Sequence, residues 1–233
     1  MIYAYCFLLT LLAVSVAMFL VLRVSKPGAT SLACKLFASF CFVVLGVLSM
    51  CVPGYGTVKA MFLLGLMSGL IGDVVLELKV YSGESVGTYL NLGTMFFAFG
   101  HAAYFFGIII YVSSMIVTGW WWMVLAAFLL SLLVAALIVT NGKALKLDFT
   151  GFKWQSYIYS AELIFVMIIS VCLAFAVPYA ALLGVGFVLF LTSDLVLSKQ
   201  YFGGKPVSKP LTIVNHVLYY LAQVLIVSFI FFI

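Results

Sequence analysis

Eight apolar stretches follow one another in this chain, each near the roughly twenty residues a helix needs to cross a hydrocarbon core. They run over 2 to 22, 34 to 52, 60 to 79, 89 to 111, 119 to 140, 156 to 176, 179 to 198 and 210 to 232. In lipid a backbone must satisfy its own hydrogen bonds, and only helices and closed barrels do so. Runs this long with little period-2 alternation predict helices rather than barrel strands. The expected fold class is therefore an all-α polytopic membrane protein, a bundle of about eight transmembrane helices forming one domain over residues 1–233. With 67% of its residues hydrophobic and 7% charged, the chain lacks the polar surface a soluble domain requires. No basic region precedes the first stretch and no small-residue cleavage site follows it, so it reads as a retained helix.

A formal charge of +5 could suggest a nucleic-acid partner, but the placement of the basic residues argues against one. Arg23, Lys26 and Lys35 bracket the first loop, Lys79 the third, Lys143, Lys146 and Lys153 the fifth, and Lys199, Lys205 and Lys209 the seventh. Of the eleven basic residues, Lys59 alone falls in an even-numbered loop. That bias predicts odd loops in the cytoplasm and both termini outside, in a multi-pass protein of a bacterial inner membrane or the endoplasmic reticulum. Trp120 to Trp122 read as an interfacial belt on the outer side. The five cysteines lack metal-type or disulfide-type spacing and read as small apolar residues.

Four acids, Asp73, Glu77, Glu162 and Asp194, lie inside the apolar stretches, and the same counting leaves no lysine or arginine beside them. Carboxyls in such places are protonated, share protons with each other, or line a wet cavity. At about 1.5 Å of rise per residue, Asp73 and Asp194 each lie roughly 8 to 9 Å below the cytoplasmic boundary. Glu162 and His216 enter from the same side, and His101 and Gln223 lie deeper. The expectation is one polar cavity open to the cytoplasm. Helical spacing adds faces: Gly65, Gly69, Asp73 and Glu77 recur every four residues, and Gly93, Phe97, Gly100, His101 and Tyr104 share a side. His216, Tyr219, Tyr220 and Gln223 form a polar and aromatic stripe that should face inward. Gly72-Asp73 in the third stretch and Ser193-Asp194 in the seventh stand four stretches apart, as a parallel four-plus-four repeat would place them. In that case the two aspartates would face each other across the cavity.

Against these readings stand plainer ones. Either aspartate could be interhelical hydrogen-bond glue, Glu77 could pair with Lys79 at the boundary, and His101, His216 and the tyrosines could simply pack.

At these residues the sequence resembles the YhhN-like family of membrane lysoplasmalogenases. The resemblance rests on Lys26-Pro27, Gly72-Asp73, the set Gly93, Phe97, Gly100, His101 and Tyr104, then Ser193-Asp194, and Tyr219-Tyr220-Leu221-Ala222-Gln223 followed by Leu225-Ile226. It implies hydrolysis of the vinyl ether bond of a lysophospholipid, giving a fatty aldehyde and a glycerophospho-base, with no cofactor or metal and with the bilayer as surroundings. That chemistry suits one protonated and one ionised carboxyl. Asp73 and Asp194 are then the expected acid and base, with His101 orienting or exchanging protons with one of them. Tyr104, Tyr219, Tyr220 and Gln223 would hold water or the glycerol oxygens, and Lys26 would attract the headgroup phosphate. Glu77 and Glu162 join the substrate-binding candidates, Glu162 on its position alone. The rival function is a proton-coupled transporter of lipid or a small molecule, using the same carboxyls as a relay. An intramembrane aspartyl protease ranks low, because that family's tyrosine-aspartate partner and proline-alanine-leucine motif are missing.

Overall fold

The computed structural model describes residues 1–78, 86–115, 119–204 and 208–233. Among them run eight α-helices: α1 (Ile2–Ser25), α2 (Ala29–Met50), α3 (Gly56–Leu78), α4 (Val86–Ser114), α5 (Trp120–Thr140), α6 (Lys153–Ala176), α7 (Ala181–Phe202) and α8 (Lys209–Phe229). All eight are long and apolar enough to cross a membrane, and no strand occurs among the described residues. The chain is an all-α polytopic membrane protein, as expected. Large apolar side chains such as Phe7, Met18, Leu129, Leu133 and Phe175 remain exposed along the helices. Water penalises such a surface, whereas hydrocarbon solvates it. Lys79 and Lys205, counted above among the loop cations, lie outside the described residues.

Local chemistry sets the helix ends. Pro27 cannot continue α1, and Lys26 before it is pushed out of the helical region to φ −148°, ψ 74°. Gly28 then opens α2, where its N–H donates to Ser31 Oγ at 3.2 Å. As a result α2 begins at Ala29, five residues ahead of the apolar stretch that marks it in the sequence. That shift carries Lys35 from a boundary position into the second turn of a helix. Between α6 and α7 the connection is Val177, extended because Pro178 follows, and a single 3-10 turn over Pro178–Ala180.

The chain forms two compact units, Met1–Tyr111 with Ile230–Ile233 and Val112–Phe229. In the first, α1 packs on α2 and α2 on α3. Here α3 and α4 meet through glycines. A methyl group on Gly65 would come within 2.4 Å of the Tyr104 ring, one on Gly72 within 2.8 Å of Phe97, and one on Gly93 within 2.4 Å of Leu76. Gly100 would meet the Gly65 carbonyl at 3.1 Å. Small residues let membrane helices approach where no hydrophobic force drives them together. Gly65→Ala should therefore cost about 1–3 kcal/mol through overpacking. Gly56→Ala, with open space around the new methyl, should leave stability unchanged. Unfolding midpoints of the two variants in the same detergent check the contrast.

Lys59, the even-loop cation, is buried near the start of α3. Its Nζ donates to the carbonyls of Ser49 at 3.1 Å and Val52 at 2.8 Å. The end of α2 has carbonyls without intrahelical partners, and the ammonium supplies them.

In the second unit α5, α6, α7 and α8 pack in chain order. Gly184 of α7 lies against the backbone of Ser170 and Val171, and Gly186 against Ala222 and Ile226, so α7 is held closely on two sides. At the start of α5, Trp120 is buried while Trp121 and Trp122 stand exposed, as interfacial tryptophans do. Each unit contributes four helices, but a four-plus-four repeat is not established.

Candidate functional site

In the first unit three neighbouring helices bring their charges together. Asp73 and Glu77, one turn apart on α3, face α2, where Lys35 Nζ lies 3.4 Å from Asp73 Oδ1 and 3.5 Å from Glu77 Oε2. Ser39, one turn beyond Lys35, donates from Oγ to Asp73 Oδ2 at 2.6 Å. Arg23, near the end of α1, places Nε 2.7 Å from Glu77 Oε1. That last contact is an ion pair by distance whose angles fall outside hydrogen-bond geometry. Each of the four carboxylate oxygens thus meets a partner, Lys35 serving one oxygen of each acid. Lys35 is buried with the two acids, while the Arg23 side chain keeps 21% exposure. The charges alternate and sum to zero.

This corrects the sequence reading in one respect. Asp73 and Glu77 do have cationic companions, since Arg23 and Lys35 lie within helices rather than in the loop that separates them. Glu77 pairs with Arg23 and Lys35. At 3% exposure Asp73 is enclosed by protein.

The other first-unit candidates lie on α1 and α4. Lys26 is exposed just past α1. His101 and Tyr104 are buried on α4, and the Tyr104 ring lies over Gly65 with its centroid 5.4 Å from that of Phe62.

The second unit offers a different setting. Asp194, half-buried on α7, accepts a hydrogen bond at Oδ2 from the Tyr159 hydroxyl of α6. Glu162, three residues after Tyr159 on the same helix, is also half-buried, and no ion pair reaches it among the described residues. Beside Asp194, Ser193 is tied to α8. Asn215 Nδ2 donates to the Ser193 carbonyl at 2.8 Å and to Ser193 Oγ at 2.9 Å, and Ser193 Oγ donates back to the Asn215 carbonyl at 3.1 Å. These bonds fix the register of α7 on α8 where the carboxyl projects. On α8, Tyr219, Tyr220 and Gln223 are buried, with the two tyrosine rings edge to face at 5.1 Å, and His216 is half-buried. Gln223 Oε1 has no hydrogen-bond partner among the described residues.

Sequence reasoning missed Arg23, Lys35, Ser39, Tyr159 and Asn215 as partners of the acidic segments. One signal was available: Ser31, Lys35, Ser39 and Ser49 fall on the same side of α2 at near-helical spacing, and all four are buried. For Tyr159 no spacing pointed to Asp194, since that partner lies 35 residues further along the chain.

Helices of this length, with acids engaged inside the membrane region, define a multi-pass membrane protein with a polar interior. A family model described as the YhhN family matches residues 30–230. The chain belongs to that family. No curated protein and no solved structure matches it.

Proposed function

We propose that this protein hydrolyses the vinyl ether bond of lysoplasmalogens, releasing a fatty aldehyde and glycerophosphoethanolamine or glycerophosphocholine. What carries the reading is YhhN membership over residues 30–230 in a chain with aspartates inside its membrane helices. The reaction starts with a proton added to the alkene carbon one removed from the ether oxygen. Water then adds to the oxocarbenium carbon, and the hemiacetal collapses to an aldehyde and the free glycerol hydroxyl. An acid must give the first proton, and an anion must stabilise the cation or take a proton from the water.

The local settings of the two aspartates fit different tasks. Asp73, facing the Lys35 ammonium and accepting from Ser39, is engaged as an anion. Asp194 has a neutral hydroxyl partner in Tyr159 and greater exposure, which suits the proton-transferring role. His101 on α4 is the candidate for orienting or exchanging protons with one aspartate, and Tyr104, Tyr219, Tyr220 and Gln223 are the candidates for holding water and the glycerol oxygens. Lys26 is the candidate headgroup contact, on the cytoplasmic side by the charge bias of the loops.

The test is direct. Purified protein in lipid nanodiscs is given an alkenyl lysophospholipid and, separately, its ester analogue. Aldehyde is expected from the first alone. Proton-dependent passage of intact lipid across vesicles, with no aldehyde formed, would instead favour a transporter.

A further inference from the structure

We infer that Lys35 positions the Asp73 carboxylate for the reaction proposed above, with Ser39 as its second hold. Two acids one turn apart on a helix repel each other and, left alone, would turn their carboxylates apart. Lys35 Nζ lies almost equally far from both, 3.4 Å from Asp73 Oδ1 and 3.5 Å from Glu77 Oε2. With Ser39 Oγ on Asp73 Oδ2, the two Asp73 oxygens are fixed by two side chains one turn apart on α2. Rotating the carboxylate out of that plane breaks both contacts at once. The ammonium is itself confined. It is buried, and the Phe19 ring centroid lies 5.8 Å from Nζ. Arg23 has a different part, pairing with Glu77 at the more exposed end of the ladder. Productive geometry in an active site tolerates only about 0.5 Å and 10–20° of error. A carboxylate held at both oxygens meets that demand.

This inference rests on the hydrolase reading, and a plain charge-balancing role for Lys35 is the alternative to separate from it. The variant pair Glu77→Gln and Lys35→Met/Glu77→Gln makes the separation. In the double variant Arg23 and Asp73 remain, one charge of each sign, so balance is kept while the Lys35 hold is lost. Relative to Glu77→Gln alone, kcat for aldehyde release should fall about 100-fold, the scale of a 1 Å misplacement. KM should stay within about threefold, because ground-state binding is untouched. Equal kcat in the two variants overturns the inference. Should the double variant fail to fold, Ser39→Ala decides: it introduces no charge, and kcat must fall with KM unchanged.

An infrared measurement separates failure of this inference from failure of the hydrolase reading. The Asp73 carboxylate band, isolated as a difference against Asp73→Asn in each background, should be narrow in Glu77→Gln and broad in the double variant. If the parent protein releases no aldehyde from any alkenyl lipid, the hydrolase reading falls. The band then decides alone, and an unchanged width overturns the positioning role.

Discussion

Asp194→Asn should lower aldehyde release by about 10²–10⁴-fold, the range of a lost general acid or base, while the protein unfolds at the temperature of the parent. The amide has the shape of the carboxyl, and its carbonyl oxygen can still accept the hydrogen bond from Tyr159, so the α6–α7 contact survives. What it cannot do is move a proton near neutral pH. The neighbouring bonds between Ser193 and Asn215, which hold the register of α7 on α8, are also left intact. Initial rates with an alkenyl lysophospholipid and an unfolding curve on the same preparation suffice, and a rate equal to the parent's would remove Asp194 from the mechanism. Asp73→Asn is a less clean probe. It leaves Arg23 and Lys35 with Glu77 as their one acidic partner in the ladder and so puts an excess positive charge inside the first unit. Its loss of activity would come with a loss of stability, whereas Asp194→Asn separates the two.

The helices could be found in the sequence because crossing a bilayer imposes a length and a composition that no loop in this chain shares. Their ends were less legible. An apolar stretch stops at the first strongly polar residue, but a helix continues while its backbone bonds are made, and α2 begins with Ala29, Thr30 and Ser31. Five residues of difference decided whether Lys35 was taken for a boundary cation or for the buried partner of two acids. The positive-inside count has the same blind spot, since it tallies Arg23 and Lys35 by position and is silent on where their long side chains end. Asp73 and Asp194 stood out because an acid in an apolar run is rare for energetic reasons. The Tyr159 hydroxyl did not, because an aromatic residue in a membrane helix is ordinary until the helix packed against it is known.

Lys35→Met should destabilise the first unit by about 3–5 kcal/mol, the penalty for removing one partner of a buried ion pair. Methionine fills the space of the lysine stem, so little of the loss is packing. The cost arises because Asp73 loses its ion pair with Lys35, while Glu77 keeps the one with Arg23. Arg23→Met should cost less, since the Arg23 side chain is 21% exposed and water or headgroups can take over part of its work. Asp73→Asn added to Lys35→Met removes the acid whose ion pair was with Lys35, leaves the Arg23–Glu77 pair whole, and should restore most of the lost stability. Going further, the neutral ladder with Arg23→Met, Lys35→Met, Asp73→Asn and Glu77→Gln together should unfold no more easily than the parent, because desolvation of buried ions offsets most of their attraction. Unfolding curves for the four variants in one detergent give the series. If the neutral ladder is as stable as the charged one yet releases no aldehyde, then folding does not require these charges as a set. Their place in the protein is then explained by what Asp73 must do as an anion, held at both oxygens inside the membrane.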